Sequence, residues 1–505
     1  MLSFQSKLLC IALLEGATVM AIQLLSGQML TPFFGAGLHT WAAVIGTTIT
    51  CLALGYYIGG YWAKNNTSRT TLYWILWIAA AWIMVMPGVS KISIYALSKT
   101  HHLGALIGIC IVLLPPVLIL LGTVPILLIK SLTHSTEGSG LHTGRVYTVS
   151  TIGGIAGILI CGFYTLPAYG ITITTLATGL LLGGVATLGL MANRKPIALA
   201  FLLILPLGWM QVPRESTHGN IRLLYHSEGL LGQVMVADIA AENEVTRGLF
   251  VNRIAQSYVN PSNMKPSPTY IKGITQIASN LPASSNILII GLAGGSLSNQ
   301  LLKLGHQITT IELDTRLPQL AHTYFGLSEH IQVIIDDGRH FVETTNNKYD
   351  LVIVDAFRGE VIPGHLLTIE AFRQIRSLLL PKGQIVINFN GFLEGPLGKG
   401  GRSVLRTMKK AGFYTVVFTT SDEPLYRNSL YLGITQPNSS SKTPLQYMAI
   451  PLSHQPTPNL ENALLLSDDL PIMDLLNLPA ARAWRTAYNL SFTSAFSANG
   501  VPLFK

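Results

Sequence analysis

Charge is scarce in this chain. Only 11% of its 505 residues are Asp, Glu, Lys or Arg, against 49% hydrophobic, a balance too apolar for an ordinary soluble protein of this size. Acids are scarcest in the first 213 residues, where Glu15 and Glu137 stand against nine Lys and Arg, while the remainder carries 24 basic and 22 acidic residues. The net charge of +9 therefore comes mostly from the apolar half. That points to topology determinants and anionic lipid contact, and away from nucleic-acid binding. Cysteine is scarce as well: Cys10, Cys51, Cys110 and Cys161 all fall in hydrophobic segments. Buried free thiols are expected rather than a disulfide framework, and no metal site is expected.

What the chain has instead is long hydrophobic runs. Spans fall near residues 8–30, 41–62, 72–90, 104–129, 146–167 and 171–191, each long enough to cross about 30 Å of hydrocarbon at about 1.5 Å per residue. A seventh run, 196–211, is shorter and contains Pro206. The first run is read as a retained helix and not a cleaved signal, because Glu15 interrupts it and no small-x-small cleavage site follows. Lys7, then Lys64 and Arg69, Lys130 and Arg145, and Arg194 and Lys195 occupy alternate connections, with only Lys91 and Lys99 on the others. The N-terminus is expected on the cytoplasmic side of a cell inner membrane crossed several times. Seven full crossings would put the polar half outside, so 196–211 is expected to be a half-span and the polar half cytoplasmic. Small residues at Gly55/Gly59 and Gly153/Gly157 have helix-packing spacing. Glu15 and Gln23 either line a polar cavity or hydrogen-bond a neighbouring helix.

The polar half opens with GQVMVADIAAENEVTRGLFVN, an alternating pattern read as a β-hairpin turning at Glu242–Glu244. The expected units then run strand 287–290, helix 296–304, strand 308–312, helix 316–324, strands 331–335 and 351–355, helix 368–379, strand 384–389 and helix 401–411. Strands and helices alternating at this spacing predict a parallel sheet covered on both faces, with ligands bound beyond the strand ends where the order reverses. Gly291, Glu312, Asp337 and Asp355 stand at or just past such ends. In the turn GLAGGS, Gly291, Gly294 and Gly295 let the backbone approach a ligand. Glu312, at a solvent-facing strand end, can accept from both hydroxyls of a ribose, and Asp337, followed by Gly338, from an exocyclic amine such as that of adenine. Acids capping nearby helices explain any one of these positions but not all three. The turn departs from GxGxxG and offers no phosphate-binding Lys, so S-adenosyl chemistry is expected rather than a dinucleotide or triphosphate.

Residues 221–475 resemble spermidine synthase-like aminopropyltransferases, and DAFRGEVIPGHLLTIEAF at 355–372 resembles the pattern of members fused to a multi-span membrane domain. Asp468–Asp469 is similar to an acidic pair near the end of such fused proteins. The resemblance implies a multi-span α-helical membrane domain at 1–213 with six to seven spans, a β-hairpin subdomain at 214–280, a Rossmann-like catalytic domain at 281–480 and a tail at 481–505. It implies ribose binding by Glu312, adenine binding by Asp337, and a general base at Asp355. It places Gln256 beside the nucleoside and Tyr270 in the acceptor pocket. The implied cosubstrate is S-adenosylmethionine or its decarboxylated form, without a metal. The implied partners are a small-molecule acceptor, with polyamines among the candidates, and the lipid bilayer; a homo-oligomer is a further candidate.

Two positions depart from the soluble members. Arg358 stands where they carry a second aspartate, and Gly294 where they carry an aspartate that contacts the amine of the transferred group. Glu360 compensates in part for a polycation, or Arg358 binds an acceptor carboxylate or phosphate. His365 is a second candidate for proton transfer or a structural loop residue. The functional readings are an aminopropyl transfer with Asp355 as base, a methyl transfer to an anionic or lipid-soluble small molecule, and a polyamine or metabolite transporter with a nucleoside-sensing domain.

Overall fold

The computed structural model describes the chain except residues 1–3, 36, 65–68, 98–101, 134–138, 213–216, 242–243, 358–362, 426, 436–451, 456–457, 493–495, 497–498, 500, 502 and 505. Two compact units result. The first comprises Met1–Ser216, His226–Gln233 and Gly500–Lys505; the second comprises Thr217–Tyr225 and Val234–Asn499.

The first unit is helical. Its helices are α1 (Phe4–Phe34), α2 (Leu38–Lys64), α3 (Arg69–Leu97), α4 (His102–Leu113), α5 (Pro115–Leu132), α6 (Ser139–Ile160), α7 (Leu166–Ala192) and the short α8 (Ile204–Trp209). Among the described residues, five helical stretches are long and apolar enough to cross a membrane, the last spanning Ser139–Ala192. Three expected spans look different. The run 104–129 is two helices, because Pro115 and Pro116 supply no N–H and start a new one. The runs 146–167 and 171–191 belong to one stretch that passes through a π-turn at Cys161–Thr165 and breaks at Gly170, with φ +81° and ψ 178°. The seventh run forms only a 3-10 segment, Pro196–Leu203, and α8, short of a crossing.

Helix α1 packs on α6, α2 on α5, and α3 on α7. The glycine pairs lie at these contacts. A Cβ at Gly157 would meet Ala17 O at 2.5 Å, and one at Gly55 would meet Ile119 O at 2.5 Å. Glu15 is buried and accepts a 2.8 Å hydrogen bond from Ser150 Oγ of α6, which makes it a bond between helices.

The second unit begins with a six-stranded antiparallel sheet in sequential order: β1 (Thr217–His218), β2 (Ile221–Ser227), β3 (Val234–Ala241), β4 (Glu244–Val251), β5 (Ile254–Asn260) and β6 (Lys265–Pro266). The expected hairpin is β3 and β4, with Val234 facing Val251 and Ala241 facing Glu244. After it come α9 (Thr269–Ser279), β7 (Asn286–Ile290), α10 (Ser296–Lys303), β8 (Gln307–Glu312), α11 (Leu317–Phe325), β9 (Gln332–Ile335), α12 (Gly338–Thr344), β10 (Tyr349–Val354), α13 (Ile369–Leu378), β11 (Leu379–Asn390), α14 (Lys399–Lys410), β12 (Tyr414–Thr419), β13 (Asn428–Ile434), β14 (Ser453–Gln455) and α15 (Met473–Phe492).

The larger sheet has the order β14-β12-β13-β11-β10-β7-β8-β9. Strands β11, β10, β7, β8 and β9 run parallel, whereas β13 joins β11 antiparallel and β12 and β14 continue that way. The sheet is therefore mixed and not wholly parallel. Its central strands are buried on both faces, with Leu288, Val352 and Ile385 in one cluster and Ile287, Leu351 and Val386 in another, which is why they read as unbroken apolar runs. Val234, Val236 and Leu249 of the smaller sheet pack on Leu317, Leu320 and Phe325 of α11. That packing sets β5 beside the turn after β7.

Candidate active site at the switch point of the sheet

The chain leaves β7 for β8 on one side and returns to β10 on the other, so the order reverses between β7 and β10. Two strand ends meet there without a covering helix, which is where an open α/β sheet offers a crevice to a ligand. Gly291 fills the junction. Its N–H donates to Ile311 O at 2.8 Å, its φ is +107°, and a Cβ would run into the carbonyl oxygen of Asp355. Asp355 N in turn donates to Ile290 O at 2.9 Å. Only glycine permits this φ and this closeness together.

Asp355 sits half-buried just past β10. Asn388 Nδ2, from β11, donates to Asp355 Oδ1 at 2.7 Å, and the Tyr270 hydroxyl in the first turn of α9 donates to the same carboxylate. Burial pushes the Asp355 carboxyl up to about 6, against the lowering pull of Asn388 and then Tyr270. Burial also holds the Tyr270 phenol well above its ordinary range, so it acts as a donor. The amide chain continues: Asn428 Nδ2 donates to Asn388 Oδ1 at 2.9 Å and to Asn390 Oδ1. Asn388 was not among the expected site residues. Its signal in the sequence is a polar side chain inside the apolar run QIVINFN, since a buried amide needs partners.

Glu312 ends β8, buried rather than solvent-facing. Its Oε2 accepts from Leu292 N at 3.1 Å and its Oε1 from Asp314 N at 2.8 Å. The carboxylate thus braces the glycine turn and the turn after its own strand. Burial raises the Glu312 carboxyl, and the N–H groups of Asp314 and Leu292 pull it back.

Gly295, with φ +73°, precedes α10. A Cβ at Gly294 would lie 2.7 Å from Ser257 Oγ, 2.9 Å from Ser257 Cβ and 3.1 Å from Phe325. Ser257 belongs to β5, where the pairing shifts from Leu249↔Ser257 to Phe250↔Ala255, leaving Gln256 as the extra residue of a bulge. Bulges re-aim side chains, and this one sets Gln256 next to the residue that touches the glycine turn.

Asp337 caps α12, accepting from Arg339 N at 2.8 Å and His340 N at 3.2 Å. Its Oδ2 lies 3.3 Å from His365 Nε2. Gly338, the first residue of α12, packs on Ile290, where a Cβ would clash. The structure therefore gives Asp337 a capping role and pairs His365 with it. Asp468 accepts from Arg339 Nη2 at 2.8 Å and from Thr368 Oγ1 at 2.6 Å, which makes it a clasp between α12, α13 and the segment before α15. Arg358 and Glu360 lie outside the described residues. Among the described residues no cluster of three or more metal-binding side chains occurs.

Residues 269–436 match the family model described as the spermine/spermidine synthase domain. The chain is 36% identical over 114 residues to a polyamine aminopropyltransferase of Vibrio vulnificus, covering 21% of this chain and 38% of that one. It is also 36% identical over 114 residues to an N-terminal histidine N-methyltransferase of Emericella nidulans, covering 22% of this chain and 20% of that one. A probable spermidine synthase from Corynebacterium glutamicum superposes with a TM-score of 0.39 and 19% identity, over 48% of this chain and 91% of the other. The matched segments span from a fifth to under two fifths of the length of these two sequence relatives.

Proposed function

We propose, from the match of residues 269–436 to the spermine/spermidine synthase domain, a membrane-bound transferase that moves an alkyl group from an S-adenosyl sulfonium to an amine. An aminopropyl group is the first reading, with decarboxylated S-adenosylmethionine as cosubstrate. The carrying observation is Asp355: a carboxylate at the switch point, raised to about 6, held by Asn388 and Tyr270 and set against the glycine turn. A carboxylate so tuned is mostly ionised at neutral pH yet basic enough to take a proton. Asp355 would remove the proton from the acceptor ammonium and hold the freed nitrogen in line. The new C–N bond forms as the C–S bond breaks, and the sulfur leaves with the bonding pair as a neutral thioether. Glu312 and the turn Gly291–Gly295 would hold the ribose side of the nucleoside, Asp337 its base, and Gln256 and Tyr270 would line the pocket. Glu312 keeps lone pairs for this beyond the two backbone donors it already serves.

Methyl transfer from intact S-adenosylmethionine is the second reading, and one contact favours it. The place at which soluble members carry an aspartate for the amine of the transferred group is Gly294, and Ser257 fills the space its side chain would need. A methyl group has no amine to hold.

The apolar helices support membrane anchorage, with residues 1–213 as the membrane domain, 214–280 the β-hairpin subdomain and 281–480 the catalytic domain. Incubating the full chain with S-adenosylmethionine or its decarboxylated form, each with a panel of amines, decides the chemistry by product mass. Aminopropylated products carry the first reading, and methylated products the second. Absence of transfer, with no binding of either compound, removes both.

A further inference from the structure

We propose that a cleft between the end of β11 and helix α15 receives the far end of the acceptor, and that it selects an alkanolamine, an amine bearing a hydroxyl, over a diamine. That the ligand is an acceptor rests on the transferase reading. The site itself is built from side chains that the transfer chemistry does not use.

The cleft lies within the second unit and is lined by Asn390, Gly391, Asn477, Ala480, Ala481 and Trp484. Its floor admits one water-sized group. Asn477 is only 8% exposed, yet its amide makes no hydrogen bond with any described residue. Gly400 leaves room for it, since a Cβ there would come 3.0 Å from Asn477 Oδ1. A buried amide with nothing to bond is costly. One that faces a cleft marks a place where a ligand completes the bonding.

The hydrogen-bond chain from Asp355 fixes which end of Asn390 faces this cleft. An ionised carboxylate only accepts, so Asn388 turns its Nδ2 to Asp355 at 2.7 Å and its Oδ1 to Asn428. Asn428 must then present its NH2, from which Asn388 Oδ1 and Asn390 Oδ1 both accept. Asn390 Nδ2 is left over, a donor with no partner among the described residues. Asn477 offers a donor and an acceptor. A hydroxyl matches the pair, accepting from Asn390 Nδ2 and donating to Asn477 Oδ1. An ammonium brings donors and no lone pair, so it would meet the Asn390 N–H head on. None of the six lining residues is an acid that could neutralise it.

The spacing sets the length of the ligand. Asn388 and Asn390 stand two residues apart on one face of β11, about 6.6 Å. A four-carbon chain covers that distance between an amine at Asp355 and a hydroxyl at Asn390, with Ala480, Ala481 and Trp484 as its apolar wall. Helix α15 is fastened on both sides of this path. Met473 packs in the core with Phe389 of β11, and Arg485, 1% exposed, donates from Nη1 to Asn252 O at 2.8 Å, in the turn before β5. Strand β5 carries Gln256 and Ser257, so α15 joins the β11 side of the crevice to the glycine-turn side.

Calorimetry of the full chain in detergent with 4-aminobutan-1-ol and 1,4-diaminobutane reads the selection without turnover. The wild type should bind the alkanolamine at least tenfold more tightly than the diamine. Asn477→Leu, which removes both bonding groups, should bring the two affinities to within about threefold. Asn390→Asp keeps an oxygen for Asn428 and puts a carboxylate oxygen where Nδ2 stood, so it should reverse the preference. A wild type that prefers the diamine, or a preference unchanged in both variants, overturns the proposal. The expected binding pattern without transfer from either S-adenosyl compound keeps the site and removes the transferase reading. Transfer to amines with no preference between the two probes does the opposite.

Discussion

Gly291 rests on the backbone of Asp355 so closely that a single methyl group would strike the Asp355 carbonyl. This contact couples the glycine turn to the candidate base. The two are adjacent because β7 and β10 pair in register, Ile290 opposite Val354, and each residue directly follows its strand.

Gly291→Ala should therefore damage both at once. The φ of +107° places a non-glycine residue in a region that costs about 1–3 kcal/mol, and the carbonyl contact adds to that. Differential scanning fluorimetry in detergent should show a lower Tm, and calorimetry a roughly tenfold or greater loss of S-adenosyl ligand affinity, equivalent to about 1.4 kcal/mol. A variant with wild-type affinity would mean that the turn does not approach the ligand.

Glu312 tests the ribose assignment through a chemical asymmetry. Both of its oxygens accept backbone N–H groups, a pattern only a carboxylate can satisfy. Glu312→Gln puts an NH2 opposite one of those donors and leaves it unpaired, at about 1–3 kcal/mol. The variant should melt lower and bind adenosyl ligands at least tenfold more weakly. Unchanged affinity in the folded fraction would leave Glu312 as a brace for two turns and nothing more.

The acid limb of the pH–rate profile should fall near 6, where Asp355 titrates. Activity rises with pH through that value, since the ionised form is the base. Asn388 and Tyr270 both lower the Asp355 carboxyl, Asn388 the more. Tyr270→Phe should move the limb to higher pH, and Asn388→Leu should move it further. Stability runs the opposite way: the folded carboxyl binds its proton more tightly than the unfolded one, so Asp355 favours the fold below about 4 and that contribution is lost by about pH 6. Asp355→Asn should flatten this slope in pH-dependent melting and abolish transfer. A limb that stays in place in both Tyr270→Phe and Asn388→Leu would dissociate it from Asp355.

The N-terminus and the catalytic domain are expected on the same side of the membrane. By length, four of the apolar helices can each cross once, while Ser139–Ala192, at 54 residues and broken at Gly170, has two arms that can each cross. The 196–209 segment is too short to add another crossing. Reporter fusions at both ends should give the same cytoplasmic signal. Opposite signals would mean an odd number of crossings.

The sequence carried the catalytic sheet because buried parallel strands are apolar throughout and glycine marks the turn at the first strand end. What it concealed has physical causes. Helix α12 is short and polar, so Asp337 read as a ligand-binding acid when it also caps that helix. The antiparallel β12 and β13 fall after the last alternating strand and helix, and β13 is buried along most of its length, so its pattern does not distinguish an antiparallel strand from a parallel one. Asn388 was hidden because one amide in an apolar strand looks like an exception until its partners are known. Hydropathy measures length and not continuity, so the proline break between α4 and α5 passed as a single span.

Gly294 is the position at which packing and chemistry make opposite demands. Restoring the aspartate of soluble members requires room for a side chain where Ser257 Oγ and Cβ would lie 2.7 and 2.9 Å from the new Cβ. The Ser257 Cβ is fixed by the ladder of β5, so this is not a contact that a rotamer change relieves. Gly294→Asp alone should therefore lower the Tm by several degrees, with a cost of about 1–3 kcal/mol for overpacking, and weaken every S-adenosyl ligand. Ser257→Gly removes the atoms that would collide. In the double variant stability should partly recover, and the carboxylate should then favour the decarboxylated ligand, whose amine lacks a neighbouring carboxylate, over S-adenosylmethionine. Calorimetry with both ligands reads this as a change in their affinity ratio. Recovery of stability with an unchanged ratio would mean that the new carboxylate does not face the transferred group, and that the glycine at 294 is a consequence of packing rather than of substrate.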